Sequence, residues 1–285
     1  MMNKKILMPT DFSDNSLKAI EYALNLYEKV PCTFYLLHMY TVDPFSMQSS
    51  AYIIPERGQG THDVAKEKAR AKFDGFLERV KAMSKNPDHV FKTKIVYKKL
   101  LEAVRDAVAK YDIGMVVMGT KGKTGSETVI FGTNALMIME GITECPVMAI
   151  PHTAEIKVPK EIVFPTDLLG PFKSRELRYL VRVAELHRAN ICILHIKKSD
   201  KYNQKQLEGR ELLESILGNV DHSFHELKGI KVQAGINAFI ESRNSDMVAF
   251  INQKTHFFSN LFRKPLVQQL SYHSNVPVLV LKDRN

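Results

Sequence analysis

The stretch from Met118 to Asn134 reads MGTKGKTGSETVIFGTN, with glycine at 119, 122, 125 and 132. A glycine-rich loop turns tightly, adopts positive φ without steric cost and lets the backbone come close to a ligand. Its N–H groups, with those at the start of a following helix, form an anion cradle that the helix dipole strengthens. Lys121 and Lys123 add positive charge. A polyphosphate is the natural guest of such a loop, and a plain strand-to-helix turn with no ligand is the alternative. Gly122-Lys123-Thr124 imitates the end of a Walker A loop, but that motif needs glycine at position 117, where valine stands. The second segment with chemical potential is Pro9-Thr10-Asp11. No dinucleotide fingerprint follows it, because the chain continues Phe12-Ser13. Without the glycine loop, Asp11 would read as a turn or cap residue.

The elements that must position these residues alternate between strand and helix. Ile6 to Met8 is an apolar run ended by Pro9, as in a buried strand. Ser13 offers an N-cap, and Leu17, Ile20, Leu24 and Tyr27 follow at helical spacing. Phe34 to Met39 is a second strand, and residues 41–60, with Pro44, Pro55, Gly58 and Gly60, read as a long mobile loop. A charged helix from about His62 to Met83 precedes a strand at Val90 to Val96, and Leu101, Val104 and Val108 mark a third helix. Met115 to Met118 is a fourth strand, a helix is expected from about Glu127 to Met139, and Val147 to Ile150 is a fifth strand. Such alternation specifies a parallel sheet with helices on both faces. Ligands of these sheets sit outside the carboxyl ends of the strands, where strand order reverses. Pro9-Thr10-Asp11 and the glycine loop both fall at such ends.

The pattern then repeats. KKILMPTDF (4–12) returns as KEIVFPTDL (160–168), YLLHMY (35–40) as CILHIK (192–197), and ECPVMAI (144–150) as NVPVLVL (275–281). Three anchors in one order indicate a duplicated domain. His38 and His195 hold equivalent places, which points to packing and hydrogen bonding rather than catalysis. No Ser-His-Asp, Cys-His or paired-carboxylate constellation is legible.

Composition bounds the rest. A chain of 285 residues with 45% hydrophobic and 25% charged residues suits two globular domains. The net charge of +9 comes from basic residues dispersed among acidic ones, as at Lys66 to Lys72, so nucleic-acid binding is not expected. Neither a signal-peptide core nor a bilayer-spanning run is present. Cys32, Cys145 and Cys192 lie at unrelated spacings, which fits reduced thiols in a cytoplasmic protein better than disulfides or a zinc site.

On these residues the chain resembles the universal stress proteins, whose ATP signature is G-x2-G-x9-G-(S/T). Gly119, Gly122, Gly132 and Thr133 match it at every spacing, Asp11 matches at the end of the first strand, and the resemblance spans both halves. It implies two tandem, doubly wound α/β domains of the adenine nucleotide alpha hydrolase type, each with a five-stranded parallel sheet. They would occupy residues 1–152 and 153–285 and be related by a pseudo-twofold axis. Val147 to Ile150 would pair with Val278 to Leu281, with His152 to Pro159 as connector. The ligand implied is ATP or ADP, with Mg²⁺ bridging its phosphates and no protein metal ligand. Pro9, Thr10 and Asp11 would face the adenosine, and the backbone at Met39 would read the adenine edge. Met118, Gly119, Gly122 and Lys123 would wrap the ribose and phosphates. Gly132, Thr133 and Asn134 would donate to the β- and γ-phosphates.

The second copy keeps Asp167 but has Ile251, Lys254, Lys264 and Pro265 at the signature positions, so it is not expected to bind ATP in this way. Phe257, Phe258, Leu261 and Phe262 would cover the vacated site or an interface, or serve another ligand or a protein partner. The function implied is an ATP-binding regulatory protein of the stress response. A slow ATPase or autophosphorylating enzyme, with Thr133 or Ser126 as acceptor, and an adaptor with nucleotide as a fixed cofactor are the alternatives. Homodimerisation of the chain is left open.

Overall fold

The computed structural model describes residues 4–40, 59–121, 131–197, 201–252 and 275–282. The first half runs β1 (Lys4–Pro9), α1 (Asp14–Leu26), β2 (Cys32–Met39), α2 (Gln59–Met83), β3 (Val90–Val96), α3 (Leu100–Tyr111), β4 (Met115–Gly119), α4 (Thr133–Gly141) and β5 (Val147–Ile150). The second runs β6 (Glu161–Pro165), α5 (Ser174–His187), β7 (Asn190–Lys197), α6 (Gln204–Leu217), β8 (His222–Lys228), α7 (Val232–Arg243), β9 (Met247–Asn252) and β10 (Val278–Lys282). The fold is doubly wound α/β. None of the described helices is long and apolar enough to cross a membrane.

All ten strands form one sheet in the order β3-β2-β1-β4-β5-β10-β9-β6-β7-β8. Read outward from its centre, each half has the same order. The pairs within each half are parallel, and the two halves meet antiparallel, with Val278 opposite Ala149, Leu279 opposite Met148 and Val280 opposite Val147. Every residue of β5 is buried, as are Val278 to Leu281, so each would leave an apolar edge open if the other were absent.

Strand alternation divides the core into two layers. Ile6, Met8, Met148, Ile150, Leu279 and Leu281 face a layer that holds α1, α2, α5 and α6. Leu7, Val147, Ala149, Val278 and Val280 face the layer of α3, α4 and α7. Because both faces are covered, the central strands are continuously apolar rather than alternating.

Two expectations are corrected. Gln59 and Gly60 belong to α2 rather than to a loop, while residues 41–58 lie outside the described residues. The helix expected from Glu127 begins at Thr133, since Gly132 is extended (φ −69°, ψ 159°) and caps it; residues 122–130 lie outside the described residues. Glycine ends the helical run there because it favours the cap over the helix interior.

Side chains also cross the seam. His187 Nε2 donates to the Leu26 carbonyl at the end of α1 over 2.9 Å. On the opposite face the buried Lys282 ammonium donates to the Met139 carbonyl in the last turn of α4. Burial lowers the Lys282 pKa from 10.5 to about 8, against the pull of Cys145, Glu144 and Glu140. The folded chain therefore binds fewer protons than the unfolded chain between those values, and the penalty for burying this charge fades as pH rises from about 8 to 10.5. In Lys282→Met the group is gone. Denaturant unfolding at pH 7 and pH 10 should show wild type gaining stability relative to the variant at the higher pH. A difference that does not change with pH would contradict this account.

Candidate functional site

The ladder between β1 and β4 pairs only Ile6 with Met115 and Leu7 with Val116, whereas β1 pairs β2 from Lys4–Cys32 to Pro9–Leu37. β1 and β4 are thus unladdered at their carboxyl ends, where the direction of winding reverses. This is where a doubly wound sheet opens a ligand crevice. Pro9, Thr10 and Asp11 leave β1 on one side of it, and Met118, Gly119, Thr120 and Lys121 leave β4 on the other.

The β1 exit is a tight, fully bonded turn. Phe12 has φ +63°, a costly conformation for a bulky residue. It is held by its own N–H donating to Thr10 Oγ1 (3.0 Å), and that oxygen also pairs with Ser16 Oγ (2.8 Å). His38 Nδ1 donates to the Thr10 carbonyl at 2.8 Å. Asp11 Oδ1 accepts from the Ser13 backbone N–H (3.1 Å) and hydroxyl (2.5 Å), so the turn role of Asp11 is realised. Ser13 in turn caps α1 as expected, and Asp14 places a carboxylate in its first turn. The positive end of α1 is already answered.

The N-terminus of α4 contrasts with it. Its cap is Gly132, which makes no side-chain hydrogen bond, and its first turn holds no acidic residue. Thr133 and Asn134 are exposed there. The Gly132 N–H donates to the Thr120 carbonyl at 2.6 Å, and the Thr120 N–H donates to the Ile150 carbonyl at 3.0 Å. The start of α4 is thereby tied to the end of β4, and a Cβ on Gly132 would lie 3.3 Å from the Thr120 oxygen. Thr120 Oγ1 is buried with no hydrogen-bond partner among the described residues. Sequence reasoning passed over Thr120; its only signal is that it stands between two signature glycines. A helix start that no side chain caps, beside a hydroxyl with no partner among the described residues, suits a ligand rich in acceptor oxygens.

The other nominated residues fall as follows. Met39 ends β2 opposite Val96, and its side chain packs against the α3–α4 layer. Met118 is buried in the same layer, so only its backbone lies at the strand end. Lys121 is buried as well. Gly119 has a packing reason of its own, because a Cβ there would meet the Asn15 carbonyl of α1 at 2.9 Å. Gly122, Lys123 and Ser126, and in the second half Lys254, Phe257, Phe258, Leu261, Phe262, Lys264 and Pro265, lie outside the described residues. A shallow depression of about 450 Å³ lined by Lys81, Ser84, Asn86, Pro87, His89, Val90 and Phe91 sits at the amino end of β3, away from the crevice.

The second half repeats the β1 turn. Leu168 has φ +62°, its N–H donates to Thr166 Oγ1 (3.0 Å), and His195 Nδ1 donates to the Thr166 carbonyl (2.9 Å). What packs on the turn differs. In the first half, Phe73 and Phe76 of α2 meet the Phe12 ring at centroid distances of 5.2 Å. In the second, α6 comes down on the backbone itself, and a Cβ on Gly209 would lie 2.0 Å from the Leu168 oxygen. Gln206 Nε2 there donates to the Asp167 carbonyl (3.2 Å) and lies 3.4 Å from His195 Nε2.

Comparison with known proteins follows the same lines. The sequence profile described as "Universal stress protein family" matches residues 2–151. A universal stress protein of Methanocaldococcus jannaschii is 26% identical over 147 residues, 52% of this chain and 81% of that one. Among solved structures, a universal stress protein from Archaeoglobus fulgidus superposes with TM-score 0.72 over 99% of both chains at 16% identity. A protein from Pseudomonas aeruginosa described as a putative universal stress protein gives 0.60 over 98% of this chain and 93% of its own, at 12% identity. At these identities the structural matches establish the fold.

Gly119→Ala tests the packing reason directly, with no ligand added. Its Cβ would press on backbone, so thermal unfolding should show a loss of ~1–3 kcal/mol. Gly75→Ala, in an open position of α2, should gain ~0.5–1 kcal/mol. Equal melting temperatures for Gly119→Ala and wild type would contradict the close approach.

Proposed function

The chain belongs to the universal stress protein family, and from that premise we propose that its first half is a nucleotide-dependent regulator which binds ATP or ADP in the crevice between β1 and β4. The single observation that carries this reading is the α4 start: uncapped by any side chain, free of acidic residues in its first turn, and tied through Gly132 to Thr120, whose buried hydroxyl has no partner among the described residues. The N–H groups of Thr133 and Asn134 would hold the terminal phosphates, with Mg²⁺ bridging those phosphates. Gly119, Gly122 and Lys123 would line the ribose and inner phosphates, and Met118 would contribute backbone. Pro9, Thr10, Asp11 and the Met39 backbone would face the nucleoside. Asp11 is already oriented by Ser13, so its carboxylate needs little reordering to serve there.

We assign the domains to residues 1–152 and 153–285, as tandem copies meeting at the β5–β10 seam. The second copy is not assigned a nucleotide: α6 lies against Leu168, and Gln206 already bonds the Asp167 carbonyl. The regulatory reading is preferred to an enzymatic one because, among the described residues, none is placed to orient an attacking water or hydroxyl. Nucleotide would act by favouring one conformational or assembly state over another, which requires different affinities for the two.

The test is to denature freshly purified protein, identify released nucleotide and count it per chain. One equivalent of ATP or ADP is expected, and Gly132→Val, which crowds the Thr120 carbonyl, should weaken binding by roughly ten- to a hundredfold through lost charge-assisted hydrogen bonds. Two equivalents would contradict the assignment of the second copy. No nucleotide, with no rise in melting temperature at millimolar Mg·ATP, would end the nucleotide reading.

A further inference from the structure

Three aromatic rings from three elements meet at the carboxyl edge of the first half. Tyr40 follows β2, Tyr97 follows β3, and His62 lies near the start of α2. Met39 pairs with Val96, and the Tyr40 N–H donates to the Val96 carbonyl at 3.1 Å, which sets the two tyrosines side by side. Their ring centroids are 5.6 Å apart, and the His62 ring stands edge-on to Tyr97 at 4.5 Å and to Tyr40 at 6.4 Å. Tyr97 is 55% exposed. Two other elements are thus arranged around a ring that does not serve the core.

The same corner of the second half is built differently. Lys197 stands where Tyr40 stands in the first half; its ammonium lies 4.6 Å from the centre of the Tyr202 ring and 2.6 Å from Glu226 Oε2. The Tyr202 hydroxyl donates to the same carboxylate. Burial and that bond push the Tyr202 hydroxyl up to about 12, and the Lys197 and Tyr202 bonds hold Glu226 below its usual range. The ring of the second half is answered by the chain's own charges. Among the described residues, the ring contacts of Tyr40, Tyr97 and His62 are with one another.

We propose that Tyr40, Tyr97 and His62 form a platform on which the base of the bound nucleotide stacks, which makes them base-selecting residues of the crevice. The inference rests on the nucleotide reading above and adds the base contact to it. Neighbouring strands lie about 4.8 Å apart, so β2 and β3 are roughly 10 to 14 Å along the sheet edge from β4. An extended nucleotide with its phosphates at α4 therefore brings its base toward these rings. Aromatic stacking accepts any base but favours the larger purine face.

Calorimetric titrations of ATP, CTP and inorganic tripolyphosphate into the full chain and its variants test the platform. Tyr97→Ala should bind ATP about tenfold more weakly, leave tripolyphosphate binding unchanged and reduce the preference for ATP over CTP. Tyr97→Phe should retain the wild-type affinity for ATP. Because the Tyr97 ring is mostly outside the core, the variant should melt with wild type; His62→Ala, which removes the supporting edge, gives a second reading in the same direction. Unchanged ATP binding in both variants would overturn the platform, and so would an equal loss of tripolyphosphate. A wild-type chain that takes up neither ATP nor tripolyphosphate would instead remove the nucleotide site, and the platform with it.

Discussion

Beyond Leu7 and Val116 the ladder between β1 and β4 ends, and the candidate site is arranged around that ending. A parallel sheet wound in two directions must start from a strand whose successors leave on opposite sides. Here that strand is β1, with β2 and β3 on one side and β4 and β5 on the other. The turn after β1 has to clear the crevice within a few residues. It does so through Phe12 at positive φ, with Thr10, Asp11, Ser13, Ser16 and His38 bonding the strained backbone. Gly119 lets α1 approach the end of β4, and Gly132 lets α4 begin against Thr120. Gly119 and Gly132 are in the first place packing residues, and the start of α4 that Gly132 caps carries no side-chain cap.

The second half separates the parts of this construction that recur from those that do not. The Thr–Asp turn, its positive φ and the histidine bonded to the threonine carbonyl recur there almost unchanged. These are therefore fold devices, and His38 and His195 are structural groups. The signature glycines do not recur. The aromatic corner gives way to an ion-paired one, and α6 descends on Leu168 through Gly209 where α2 stands off behind the Phe12, Phe73 and Phe76 rings. The differences gather at the strand ends, while the seam between β5 and β10 keeps both halves in one sheet.

Much of this was legible in the sequence because it is local. Apolar runs ended by proline marked β1 and β6, Ser13 announced the cap of α1, the repeated PTD, LLHM and PV segments marked the strand ends, and the family resemblance implied the pairing of the last strands. The errors were also local in origin. Glu127 to Phe131 continue an apolar, helix-compatible pattern, and only the preference of Gly132 for a cap reveals that the helix starts later. Proline and glycine between 41 and 60 suggested a loop to its end, although Gln59 and Gly60 join α2. What could not be read were partners distant in sequence: Asn15 beneath Gly119, Leu168 beneath Gly209, Met139 above Lys282, and the meeting of Tyr40, His62 and Tyr97. Thr120 escaped notice because what marks it, a buried hydroxyl with no partner among the described residues, has no sequence signal.

The central claim is that one crevice, in the first half, takes the nucleotide. Backbone hydrogen exchange with and without Mg·ATP tests it most directly, since the proposed contacts are N–H groups. The account predicts slowed exchange at Thr133 and Asn134, whose N–H groups are the proposed phosphate contacts, with Thr166 and Asp167 of the second-half turn unaffected. Protection confined to the second half, or spread equally over both turns, would contradict it.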